Sequence, residues 1–161
     1  TKWISEQKPK HSLIKFYLLK NQNDQRRTKL HPSKRGELQS LWIQKGYKCR
    51  ILRMWEGMDP EYRLFYLCGY VLLTKEDKYY GKDADTIPYA AHGGLNYSSH
   101  RLHNQPEEWW WIGFDCGHGC DISMPYQLNC ELSSAVYRTM DYVEQELKQL
   151  VDQILADREE G

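Results

Sequence analysis

From residue 47 onward the apolar and polar positions follow a readable order. Tyr47, Cys49, Ile51 and Trp55 alternate with Lys48 and Arg50, the two-residue period of a strand with one buried face. Arg53 interrupts the apolar face and is expected at a rim or beside a carboxylate. Gly57 and the Asp59-Pro60 pair supply a turn. Residues 64–73 then run apolar on both sides, as a central strand does. Two such runs across a short turn predict an antiparallel hairpin. Residues 74–88 read as a polar loop, 89–98 as a third strand and 109–114 as a fourth. Val136, Met140, Val143, Leu147, Leu150 and Ile154 recur at spacings of three and four. That spacing predicts a long amphipathic helix, with Ser133 or Ser134 as its N-cap.

The first quarter is less regular. Residues 1–11 are polar and basic without periodicity, and Leu13, Ile14, Phe16, Tyr17, Leu18 and Leu19 form an apolar burst that fits a strand or a helical face. Residues 21–35 read as a loop containing Pro32, and 36–44 as a short helix carrying Leu38, Leu41 and Trp42. The expected architecture is α+β. A small, mostly antiparallel sheet of about four strands is covered by a long C-terminal helix, as a single core domain over residues 46–161 behind a basic N-terminal extension over residues 1–45.

At 161 residues the chain is long enough to bury a core of its own. Its charged fraction of 27% and mean hydropathy of −0.79 lead us to expect a soluble protein. No apolar run approaches the ~20 residues a membrane helix needs, so no membrane partner is expected. A net charge of zero conceals an uneven distribution: residues 1–53 hold fourteen lysines and arginines against three acidic residues, and the remainder is acidic by the same margin. The basic arm suits an anionic partner or the chain's own acidic body. It lacks interleaved aromatics and any known binding motif, which ranks nucleic acid below other partners. Five cysteines leave at least one thiol unpaired within the chain, and without a secretory signal all five are expected reduced.

Candidate chemistry concentrates in residues 92–121. His92-Gly93-Gly94 sets an imidazole beside backbone that can approach a ligand closely. Asp115, Cys116, His118, Cys120 and Asp121 crowd into seven positions of a glycine-bearing loop. If the two stretches are neighbouring strands, His92 comes within direct or one-water reach of Asp115 or His118. Three readings of the loop stand together. His92, Asp115, His118 and Asp121 are candidate ligands for zinc or another divalent metal, although the spacing matches no common zinc motif. Asp115 and His118 form a candidate general-base pair, and Cys116 or Cys120 a nucleophile activated by His118. Alternatively, the aspartates simply bond the loop's own amides. His92, Gly93, Gly94, Tyr97, Trp110, Asp115 and His118 are the candidate ligand-binding set, with Trp110 and its neighbours Trp109 and Trp111 offering aromatic surface and Tyr126 adding to it. His100, Arg101 and His103 lie between the motifs and are expected to lean over the site as a lid.

The stretches His92-Gly93-Gly94-Leu95-Asn96-Tyr97-Ser98-Ser99 and Trp110-Trp111-Ile112-Gly113-Phe114-Asp115-Cys116-Gly117-His118, with Asp121 behind, resemble a family of small bacteriophage and prophage proteins. That family reads HGGLTYSG, then WWFGFDCAH, then an Asp. Cys68-Gly69-Tyr70-Val71 and Tyr80-Gly81-Lys82 resemble its upstream segment, and the likeness covers roughly residues 47–121. Asp77 stands where the pattern often has His, and Cys120 where it has a small residue. The resemblance implies a phage setting, hence the host cytoplasm, rather than a reaction.

Three functions follow. The first is a phage accessory protein that binds, and so sequesters, a small anionic or nucleotide-like host molecule as counter-defence. The second is a metal-dependent hydrolase using His92, Asp115, His118 and Asp121. The third is an inhibitor that binds a host protein through the basic arm. The first is favoured narrowly, because Cys116 and Cys120 crowd the loop. Oligomerisation is compatible with all three.

Overall fold

The computed structural model describes residues 36–56, 64–103, 105–106, 108–123 and 136–161. Five strands form one antiparallel sheet: β1 (Glu37–Gln44), β2 (Tyr47–Glu56), β3 (Leu64–Leu72), β4 (Tyr97–Ser99) and β5 (Trp111–Asp115), in the order β1-β2-β3-β5-β4. Among the described residues one α-helix, α1 (Met140–Glu160), follows. The α+β architecture and the β2–β3 hairpin match the sequence pattern.

The segment expected as a short helix is strand β1 instead, and it belongs to the sheet rather than to an appendage. A β-bulge at Gln39 explains the misreading. Leu38 pairs with Leu52, Ser40 with Ile51 and Leu41 with Arg50. The extra residue puts Leu38 and Leu41 on the same face although they are three apart, which imitates a helical spacing. Lys45 and Gly46 close the hairpin at φ 47° and 88°. Two consecutive positive φ values give a turn whose twist matches the strands, and glycine takes the second at no steric cost.

The sheet is buried on both faces. Tyr47, Cys49, Ile51, Leu67, Val71, Ile112 and Phe114 pack against Met140, Val143, Leu147, Leu150, Val151 and Ile154 of α1. Leu52, Cys68, Tyr70 and Trp111 form a second cluster on the opposite face with Leu102. Arg50 is only 5% exposed there; its guanidinium lies 4.9 Å from the Trp111 ring centre and bonds Glu108 Oε1 at 2.9 Å. Arg53 is buried rather than at a rim, and its Nε donates to the side-chain oxygen of Gln39 at 3.4 Å, with no carboxylate partner among the described residues. Cys49, Cys68, Cys116 and Cys120 are free thiols, and no helix of the described residues is long and apolar enough to cross a membrane.

Two further expectations are corrected. The third strand is only three residues long, because residues 89–96 hold a turn and irregular backbone behind a single 3-10 turn at Ala84–Thr86. The helix begins at Met140, where Thr139 Oγ1 caps the Tyr142 amide at 3.2 Å, and not at Ser133 or Ser134. Val136 is outside it: its backbone bridges to Asp121 and its neighbours, and its side chain is 37% exposed. The turn expected at 57–60, the 13–19 burst, the loop at 21–35, Tyr126 and Cys130 lie outside the described residues.

Candidate functional site

At the far end of β5 the chain passes through Asp115 into a loop that returns on itself at Asp121. The Asp121 amide donates to the His118 carbonyl at 2.9 Å; the Ile122 amide donates to the Val136 carbonyl at 2.8 Å and the Val136 amide to the Cys120 carbonyl at 2.9 Å, which ties the loop to the approach to α1. From the other side, a turn closed by the Gly94 amide on the Ala91 carbonyl (2.9 Å) delivers His92. Gly93 and Gly94 hold φ of 66° and 86°. A Cβ on Gly93 would stand 2.3 Å from the His118 ring, so only glycine lets the two histidines meet.

Four hydrogen bonds converge on Asp121, whose side chain is 2% exposed. Its Oδ2 takes His92 Nε2 at 2.7 Å, His118 Nδ1 at 3.2 Å and the His118 amide at 3.1 Å, while Oδ1 takes Arg138 Nε at 3.0 Å. Burial alone would raise this carboxyl, but the bonds from His92, Arg138 and the His118 amide outweigh it and hold it at about 2. Asp121 is therefore ionised at neutral pH. The second nitrogen of His92 lies 2.8 Å from the Tyr142 hydroxyl, and the His92 ring stands edge-on to both His118 (5.2 Å between centres) and Tyr142 (5.4 Å). The Arg138 guanidinium covers the Tyr142 ring at 4.6 Å. One potential ligand atom from each of His92, His118 and Asp121 falls within 4.8 Å of the others.

The expected meeting of His92 with His118 is thus present, brokered by Asp121. Asp115 is a neighbour of this trio. Its Oδ1 accepts from the Gly117 amide at 2.8 Å and stands 3.8 Å from His118 Nδ1, while Oδ2 accepts from Asn96. His118 is the accessible member, 39% exposed against 11% for His92.

No family model, curated protein or solved structure matches this chain.

Other candidates are placed elsewhere. Cys116 is 2% exposed in the core, and burial together with the Asp121 charge pushes its thiol far up, which keeps it protonated and unsuited to nucleophilic attack. Cys120 is exposed beside Asp121. Tyr97 packs edge-on against Tyr70 on the sheet face away from α1, with its hydroxyl on the Arg101 carbonyl. Trp110 sits at the opposite end of β5, about 16 Å along the strand from Asp115, and its indole N–H donates to the Lys82 carbonyl. The segment expected as a lid instead covers the second face: Leu102 is fully buried there, and His103 lies against Gly36. Asp77 serves the fold, accepting from the Tyr47 hydroxyl at 2.6 Å and the Thr74 amide at 2.6 Å.

Two residues of the site carried no strong sequence signal. Tyr142 is one step off the apolar stripe of α1, and Arg138 precedes the helix. The available hint was isolation, since Arg138 is the one lysine or arginine between Arg101 and Lys148.

Proposed function

We propose that His92, His118 and Asp121 hold a divalent metal ion, and that the protein hydrolyses a small anionic substrate there. The observation that carries this reading is the convergence of two imidazole nitrogens and one carboxylate oxygen within 4.8 Å. Nitrogen and oxygen donors suit zinc, and three protein ligands with a further position open is the arrangement of catalytic zinc sites. The surroundings suit a ligand set as well. Tyr142 stands on the second nitrogen of His92 and Arg138 on the second oxygen of Asp121, the outer contacts that fix ring and carboxylate orientation in metal centres. When bound, the metal would supply Lewis acidity and a water acidic near neutral pH. The chain's own groups supply the rest: Asp115, 3.8 Å from His118, is placed to accept a proton, and the Arg138 cation favours an anion.

A second reading is capture without turnover of an anionic or nucleotide-like molecule. It is favoured by the four donors that already satisfy Asp121, which make the site complete as a hydrogen-bonded unit. The phage resemblance bears on the setting, the host cytoplasm, and not on the choice between the two readings. Incubation with bis(p-nitrophenyl) phosphate and with ATP, with and without added zinc or manganese, separates them. Metal-dependent breakdown that stops in His118→Ala supports hydrolysis. Retention of intact ATP, weakened by His118→Ala roughly ten- to a hundredfold through loss of a charge-assisted bond, supports capture.

A further inference from the structure

The free edge of the sheet offers a different kind of site. β1 is the outermost strand on its side, and among the described residues nothing pairs with its outer edge. Its N-terminal half is interrupted by the bulge at Gln39, but residues 40–44 pair one for one with residues 47–51. Leu41 and Ile43 project from this regular half, 48% and 62% exposed. Beside them on the same face lie Arg50 and Lys48, which share the Glu108 carboxylate at 2.9 and 2.7 Å and leave this flank one net positive charge. Trp42 points the other way and packs on the core under α1. A regular edge with exposed apolar residues is a template for another strand.

We propose that residues 40–44 pair antiparallel with the same residues of a second copy, about a two-fold axis through Trp42. The strand is a palindrome in character: polar Ser40, apolar Leu41, Trp42, apolar Ile43, polar Gln44. In this register Leu41 of each copy lies across from Ile43 of the other, and Ser40 lies across from Gln44. Each exposed side chain covers its counterpart, as an isologous contact requires. Neighbouring registers fail on named residues. A one-residue slip sets Leu41 against the core-facing Trp42. A two-residue slip sets Ile43 against the bulged Gln39 in one direction, and Leu41 against Lys45 in the left-handed turn in the other. A contact of five residues per copy is small, so the dimer is weak and concentration-dependent.

Sedimentation velocity on the full chain tests this. The expected result is a shift from monomer to dimer across about a hundredfold range of micromolar concentrations. Ile43→Lys and Leu41→Lys should remain monomeric throughout, with melting temperature and far-ultraviolet circular dichroism unchanged. In a Cys120→Ser background, a mixture of Leu41→Cys chains with Ile43→Cys chains should give a covalent heterodimer on oxidation and neither variant alone a covalent homodimer, reporting the register itself. A chain that stays monomeric at every concentration overturns the proposal. So does a loss of melting temperature in Ile43→Lys without any dimer in the parent, because the edge is then covered within one chain. A dimer that persists in both lysine variants overturns it too.

Discussion

Gly93 controls the site with the least material. Its φ of 66° is costly for any side chain by about 1–2 kcal/mol, and its missing Cβ is the space that the His118 ring occupies. Gly93→Ala is therefore expected to lose about that much stability in urea unfolding, and to weaken zinc binding as well. Tyr142→Phe provides the contrast. It keeps the packing and removes the hydroxyl at His92, so zinc affinity measured by competition with a chelating dye should fall about 10–100-fold. Stability should change by about 1 kcal/mol. Asp121 sets the pH behaviour of the metal-free protein. Its carboxyl is lowered from 3.8 to about 2, so it contributes stability above pH 4 that is lost as pH falls from about 4 to about 2. The size is about 2 kcal/mol. Urea unfolding of metal-free protein along that range should show the loss in the parent, and Asp121→Asn should flatten it. An equal slope in the variant assigns the acid sensitivity to other carboxyls.

At the scale of elements, α1 supplies much of the apolar floor and one of the site's hydroxyls, so helix and site share their stability. Leu147 is fully buried between helix and sheet, and Leu147→Ala should cost about 2–5 kcal/mol. Thr139→Ala removes only the cap on the Tyr142 amide and should cost about 1 kcal/mol. Because that cap begins the turn bearing Tyr142, a Thr139→Ala protein should also show faster hydrogen exchange over residues 140–143 than Leu147→Ala relative to its loss of stability. Strands β2 and β3 and the apolar stripe from Met140 to Ile154 were legible in the sequence because each keeps a single period. β1 was not, because one bulged residue changes the phase of Leu38 against Leu41. The third strand was overextended because alternation from Tyr89 to Tyr97 does not reveal that Gly93 and Gly94 turn the backbone between them.

At the scale of the whole molecule, the sheet order places β5 beside both β3 and β4, and the loop after β5 then meets the turn at His92 and the start of α1. Three parts of the chain distant in sequence thereby reach one carboxylate. His92, His118, Asp115 and Asp121 were legible as a group, since polar residues with ligand chemistry cluster beside glycines. Tyr97 and Trp110 were not separable from that group by sequence, because proximity along the chain does not say which face or which end of a strand a residue takes. Arg138 and Tyr142 enter only through folding. We propose this convergence as a metal centre, and its zinc content tests the proposal most directly. Protein purified without a histidine tag, stripped with chelator and dialysed against zinc, should retain about one zinc per chain by elemental analysis, in keeping with the one set of three ligands among the described residues. Each of His92→Ala, His118→Ala and Asp121→Ala, folded by circular dichroism, should retain almost none. Zinc near zero in the parent protein, or equal in the parent and all three variants, would contradict the account.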